Sequence, residues 1–206
     1  MKKFELTSDF KTLADGTKVF RIKALISFGS VKAGDLGGYV EKENNLSRSG
    51  NAWVYGNAKV YGNALVYGNA LVYGDALVYG DALVCGNAEV YDDAEVYGNA
   101  LVCGNAEVYG NALVCGNAKV FGNAEVCGNA DYTTIKGFGT CLRTTTFFRC
   151  KDEEIRVACG CFYGTIPEFR EQVKKTRKGK LAEEYLMIAD LMEFHFSDKE
   201  SNHERD

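Results

Sequence analysis

Histidine is almost missing from this chain. Two occur among 206 residues, His195 and His203, so no base or metal ligand of that type stands before residue 195. No run of eighteen apolar residues occurs, which excludes a conventional membrane-spanning helix. No apolar segment of the kind a secretory signal needs follows Met1-Lys2-Lys3. A duplex-binding protein needs a long basic stripe; residues 51–128 hold two basic and eight acidic groups and supply none. Eight cysteines occur without the spacing of a disulfide framework. Cys85, Cys103, Cys115 and Cys127 share one slot of a repeat that elsewhere holds Tyr or Phe, so they read as apolar substitutes. The expected setting is a reducing cytoplasm.

What the chain has in abundance is one phrase. From Asn51 to Gly128, Asn/Asp-Ala-x-Val-Tyr/Cys/Phe-Gly recurs thirteen times without an insertion, with Asp92 the one replacement of its glycine. A fixed period of six is the signature of a β-helix built from hexads, and it rules out a pentapeptide-repeat tube. Ala and Val lie two apart and share one face of a strand, while x and the aromatic share the other. Ala and Val are therefore predicted to fill the tube. Gly-Asn and Gly-Asp fall where the chain must turn a corner, because Gly takes positive φ freely and Asn and Asp tolerate it. An uninterrupted tube also has no loop on which to build a catalytic site.

On these hexads the chain resembles the bacterial hexapeptide-repeat proteins. The resemblance implies a mainly β fold, a left-handed parallel β-helix with three hexads per triangular coil, so that residue i stacks on i+18. About four coils would then span roughly 20 Å. The lead-in from Val31 to Gly50, with both ends of the chain, looks like a group of phage and prophage proteins of gut bacteria, described only as polymer-forming or hypothetical. Most hexapeptide-repeat proteins of known activity are acyltransferases with a His base at a trimer junction. The related carbonic anhydrases hold zinc through three His. Neither chemistry fits a tube without histidine, and an ice-binding face of Thr-x-Thr ladders is absent too. No catalytic residue, metal or cofactor is predicted.

Three regions follow: a β-hairpin cap over 1–30, the β-helix over 31–130, and a small strand–strand–helix–helix domain over 131–206. In the first, residues 4–25 read as a hairpin turning at Asp15-Gly16, suited to covering a bare sheet edge. In the last, Thr133–Ile135, Cys141–Cys150 and Ile155–Phe162 read as strands. Thr165-Ile-Pro-Glu168 carries the cap, proline and glutamate of a helix start. A second helix over about 181–194 would bury Leu181, Tyr185, Ile188, Leu191 and Met192. His195 near its end is placed to favour the helix dipole rather than to act as a base.

Two candidate surfaces emerge. Residues 131–180 hold eleven basic and six acidic groups. There Arg143, Thr145 and Arg149 alternate onto one face of a strand, with Arg156 on the next strand and Lys136 nearby. These five form the candidate site for a small anionic or nucleotide-like ligand; the plain alternative is a solvent-facing strand. Most of the remaining basic charge, from Lys174 to Lys180, reads as a solvated helix face. Cys159-Gly-Cys161 reads as packing rather than as zinc ligation, since no second pair stands at ligand spacing. On the tube, three-fold stacking sorts outward residues onto three faces. One carries Trp53, Leu71, Glu89, Glu107 and Glu125; the next Lys59, Leu77, Glu95 and Leu113. The third carries Leu65, Leu83, Leu101 and Lys119, with Tyr67, Cys85, Cys103 and Phe121. It alone lacks an acid at these positions, and a mostly apolar stripe of this length is expected to be buried, in a homotrimer interface or under the C-terminal helices.

Overall fold

The computed structural model describes residues 2–139 and 142–197, and the chain divides into two compact units after Asn129. The first is a parallel β-solenoid of about five turns with added N-terminal strands. Each hexad contributes a two-residue strand at its x and Val positions, from Trp53–Val54 to Glu125–Val126. These strands pair in parallel with an offset of eighteen residues, as in Leu65 with Leu83 and Glu89 with Glu107, and fall into three sheets. Every Ala and Val of the thirteen hexads is at most 1% exposed. The tube is filled as the phrase predicts.

Positive φ and close coil-to-coil approach favour glycine at most corners. Gly86 has φ 70°, and a Cβ there would lie 2.9 Å from the backbone nitrogen of Gly104 one coil on. Asp92, the odd residue in this slot, adopts φ 57°, and its carboxylate accepts the Gly110 N–H at 3.4 Å. Around the strand ladders, N–H groups of one coil donate to carbonyls of the next, for example Leu83 N–H to Ala100 O at 2.9 Å. The opening coil thereby has carbonyls without a preceding donor, and the closing coil N–H groups without a following acceptor.

The N-terminal strands answer the first need. β1 (Phe4–Thr12) and β2 (Lys18–Ala24) form the expected hairpin, and β3 (Leu36–Val40) joins them antiparallel. β3 in turn lies parallel to Lys59–Val60, so one sheet of the tube is extended to seven strands. Gly37 permits this approach, since a Cβ there would sit 2.6 Å from Val54 O. Trp53, expected on an outer face, is fully buried instead. Phe4 and Phe28 close over it edge-on, with centroids 6.2 and 5.3 Å away. Lys3 is buried beside them, donating to the carbonyls of Ser47, Gly50 and Ala52 at 3.3, 3.1 and 2.7 Å. The side-chain amide of Asn45 does the same for Gly62 and Ala64. At the far end Asn129 Oδ1 accepts the N–H of Leu113 at 2.9 Å.

The second unit is an antiparallel meander of four strands and two helices: β17 (Tyr132–Phe138), β18 (Arg143–Arg149), β19 (Ile155–Cys159), β20 (Phe162–Thr165), α1 (Ile166–Thr176) and α2 (Lys180–His195). Numbers β4–β16 belong to the hexad strands in chain order. The strand predicted over Ile155–Phe162 is broken: Gly160, at φ 63°, reverses the chain, β19 ends at Cys159 and β20 starts at Phe162. Thr165 and Glu168 form the expected reciprocal cap of α1. On α2, Tyr185, Ile188 and Met192 enter the core with Ala189, whereas Leu191 is 56% exposed, contrary to the expected stripe. No helix among the described residues is long and apolar enough to cross a membrane.

Candidate functional site

β18 is central in the second unit's sheet, and its alternation decides which residues can act together. Phe147 points to the helices and is fully buried with Val157, Phe169, Val173, Ile188 and Met192. Arg143, Thr145 and Arg149 share that face by alternation. Thr145 is consequently buried, donating its hydroxyl to Cys159 Sγ at 3.2 Å. Arg149 is held by Asp131 at 3.4 Å and by the carbonyl of Phe196 at 3.4 Å, with its guanidinium 5.7 Å from the Phe196 ring centre. Arg156 pairs in register with Phe148 and so lies on the opposite face. There it is bound by Asp152 at 2.7 Å and Glu154 at 3.1 Å. Lys136 is exposed in the irregular stretch between Ile135 and Phe138.

The expected convergence of these five residues on one anion therefore does not occur. Two arginines carry their own acids, Thr145 is spent inside the core, and Arg156 faces away. Arg143 remains. It is exposed, meets no acid among the described residues, and lays its guanidinium against Gly160. A side chain on Gly160 would displace it.

Arg143 stands at a cavity of about 190 Å³ between the sheet and the last turns of α1. Phe162, Phe169, Val173 and Tyr185 give it apolar walls, and Cys159 and Cys161 line it too. Its polar contributors are Arg143, Gln172, Thr176 and Arg177. The Thr176 hydroxyl is engaged, donating to Gln172 O at 2.7 Å, and the Tyr185 hydroxyl donates to Phe138 O at 3.4 Å. Arg177 caps the end of α1, its backbone N–H donating to Val173 O at 2.8 Å, and its guanidinium donates to the carbonyl of Thr176 at 3.2 Å. Of the other charges nearby, Lys174 pairs with Glu171, Lys180 with Glu184, and Arg170 with Asp190 and Glu193, while Lys175 and Lys178 are exposed on the solvent side. Two guanidiniums without carboxylate partners thus border one aromatic-walled cavity. The sequence reads Arg177 as part of a solvated helix face, whereas it borders the cavity. Its position at the end of a helix whose Phe169 and Val173 face inward was the available signal.

On the tube, the third face stands open in the single chain. Leu83 and Tyr67 are 36% and 37% exposed, Leu65, Leu101, Cys103 and Phe121 are half-buried, and Cys85 is buried within the column. The other two faces carry tyrosine stacks with interplanar angles of 2–4°, such as Tyr73–Tyr91–Tyr109 and Tyr61–Tyr79–Tyr97. Their hydroxyls bond forward to acids: Tyr73 to Glu89 at 2.7 Å, Tyr79 to Glu95 at 3.0 Å and Tyr109 to Glu125 at 2.7 Å.

The family described as the YdcK beta solenoid repeat matches residues 58–74 and 70–86, both inside the tube. No curated protein matches the chain. The comparison and the fold together make this a repeat β-helix protein, and the match stops short of the cavity in the second unit.

Proposed function

We propose that the protein is a non-catalytic β-solenoid scaffold, oligomeric through its apolar face, whose C-terminal unit holds a small anionic ligand. The observation that carries this reading is the pair Arg143 and Arg177, both without an acid, at a cavity walled by aromatic rings. A desolvated anion needs charged donors, and an exposed guanidinium gains from a phosphate or carboxylate what it lacks inside the protein. The tube supports the scaffold half of the reading: thirteen hexads without an insertion leave its surface to ladders rather than loops. The resemblance to phage and prophage proteins suits sequestration of a phosphorylated host molecule in the cytoplasm, without turnover. Duplex nucleic acid and membranes are not the expected partners.

Native mass spectrometry of protein purified from cells tests this directly. A small acidic molecule should remain bound to the wild type and be lost from Arg143→Ala. Protein that carries no such molecule, and shows no calorimetric response to phosphate compounds, would leave a scaffold without a ligand. Turnover of an acyl-coenzyme A substrate would make it an enzyme instead.

A further inference from the structure

We propose that the cavity of the C-terminal unit selects a ligand made of one aromatic ring and one phosphate, of mononucleotide size. This deepens the anion-binding reading and rests on it. The charge argument comes first. Arg143 and Arg177 present two uncompensated positive charges, whereas a carboxylate supplies one negative charge and a phosphate monoester close to two. Guanidinium forks also match phosphate oxygens two at a time. The matched anion is therefore a phosphate.

The walls identify what the phosphate is attached to. Phe162 and Phe169 lie 5.5 Å apart at their centres, and Tyr185 meets Phe169 edge-on at 5.9 Å. These rings, with Val173, favour a flat apolar group over a hydrated sugar. Size then sets the limit. A dry cavity of about 150 Å³ accepts benzene, and drug-sized ligands need roughly 300 Å³ or more. About 190 Å³ takes one ring system, with the phosphate left at the mouth beside the arginines. The Gln172 side-chain amide, which bonds to nothing among the described residues, supplies one donor group and one acceptor for the ring edge.

The test is calorimetry on the full chain with chosen probes: phenyl phosphate, nucleoside 5′-monophosphates, 3′,5′-cyclic mononucleotides, ribose 5-phosphate, inorganic phosphate, benzoate and cyclic dinucleotides. At least one single-ring phosphate should bind about tenfold or more tighter than ribose 5-phosphate, the contribution expected of one stacked ring. Arg143→Ala and Arg177→Ala should each weaken it by about ten- to a hundredfold. Circular dichroism checks that both variants fold. Should Arg177→Ala loosen the end of α1, Arg143→Ala carries the test, because that side chain is exposed. Equal binding of ribose 5-phosphate overturns the ring while leaving the anion site intact. Benzoate matching phenyl phosphate overturns the phosphate, and cyclic dinucleotides binding as tightly overturn the size limit. If both variants keep full affinity, the site is elsewhere. No binding of any probe overturns this inference and the anion-binding reading together.

Discussion

At the scale of single residues, the ends of the tube show how unpaired backbone groups recruit side chains. A carbonyl that faces no preceding coil must find a donor or remain unsatisfied. Lys3 serves three of them and also lies 4.3 Å from the Phe28 ring centre, and burial pushes its ammonium down to about 8. Replacing it by methionine keeps much of the volume and removes every donor. Lys3→Met should cost about 2 kcal/mol or more, seen as a melting temperature lower by roughly 4–8 °C. An unchanged melting curve would mean that solvent satisfies those carbonyls equally well. None of this was legible in Met1-Lys2-Lys3, which read only as a polar start. The arginines of the second unit were legible in part. Asp152 and Glu154 stand four and two residues before Arg156, close enough to foresee their claim on it. Asp131 reaching Arg149 depends on the register in which β17 pairs with β18, which composition does not specify.

At the scale of elements, the six-residue period was sufficient for the interior and for the sorting of outward residues into columns. It did not reveal that the columns bond along their length. The tyrosine hydroxyls point forward to glutamates one coil on, and burial together with these bonds raises their ionisation range. Burial pushes Tyr91 up to about 12, with the charge of Glu107 adding to it. Tyr67 is pushed up to about 12 chiefly by its hydrogen bond with Cys85, then by burial. Tyr73, Tyr79 and Tyr109 move in the same direction, the first two mainly by burial and Tyr109 mainly by its bond to Glu125. A group whose folded value lies above its unfolded value stabilises the fold fully below the unfolded one, near 10. That contribution is lost as pH rises through the folded value. Denaturant unfolding should therefore show steady stability up to about pH 10 from these groups and a fall between pH 10 and 12. The variant Tyr91→Phe should show a shallower fall. A profile identical in wild type and variant would detach the ladder from alkaline unfolding.

At the scale of the whole molecule, the repeat legislates the tube but not what joins one tube to another. Where the phrase ends, after Asn129, the sequence predicts strands and helices but not the cavity. That cavity needs Arg143 from β18, Phe162 from β20 and Arg177 from the end of α1 brought together by folding. Self-association can be argued from the faces. Glu89, Glu107 and Glu125 run down one and Glu95 sits on the next, so bringing either against its own copy sets like charges together. The third face has Lys119 as the one charged residue among its strand positions and leaves Leu83 and Tyr67 over a third exposed. A trimer packed through it would scatter light as about three chains of 22.6 kDa. Leu83→Arg puts a charge at the middle of that stripe, where burial without a partner is costly, and should return the mass to one chain. Leu71→Arg, on the face already bearing glutamates, is the matched control and should leave the mass unchanged. If both variants keep the wild-type mass, the third face is not the interface. If wild type already scatters as one chain at high concentration, the apolar stripe is tolerated in water and the scaffold works as a single tube.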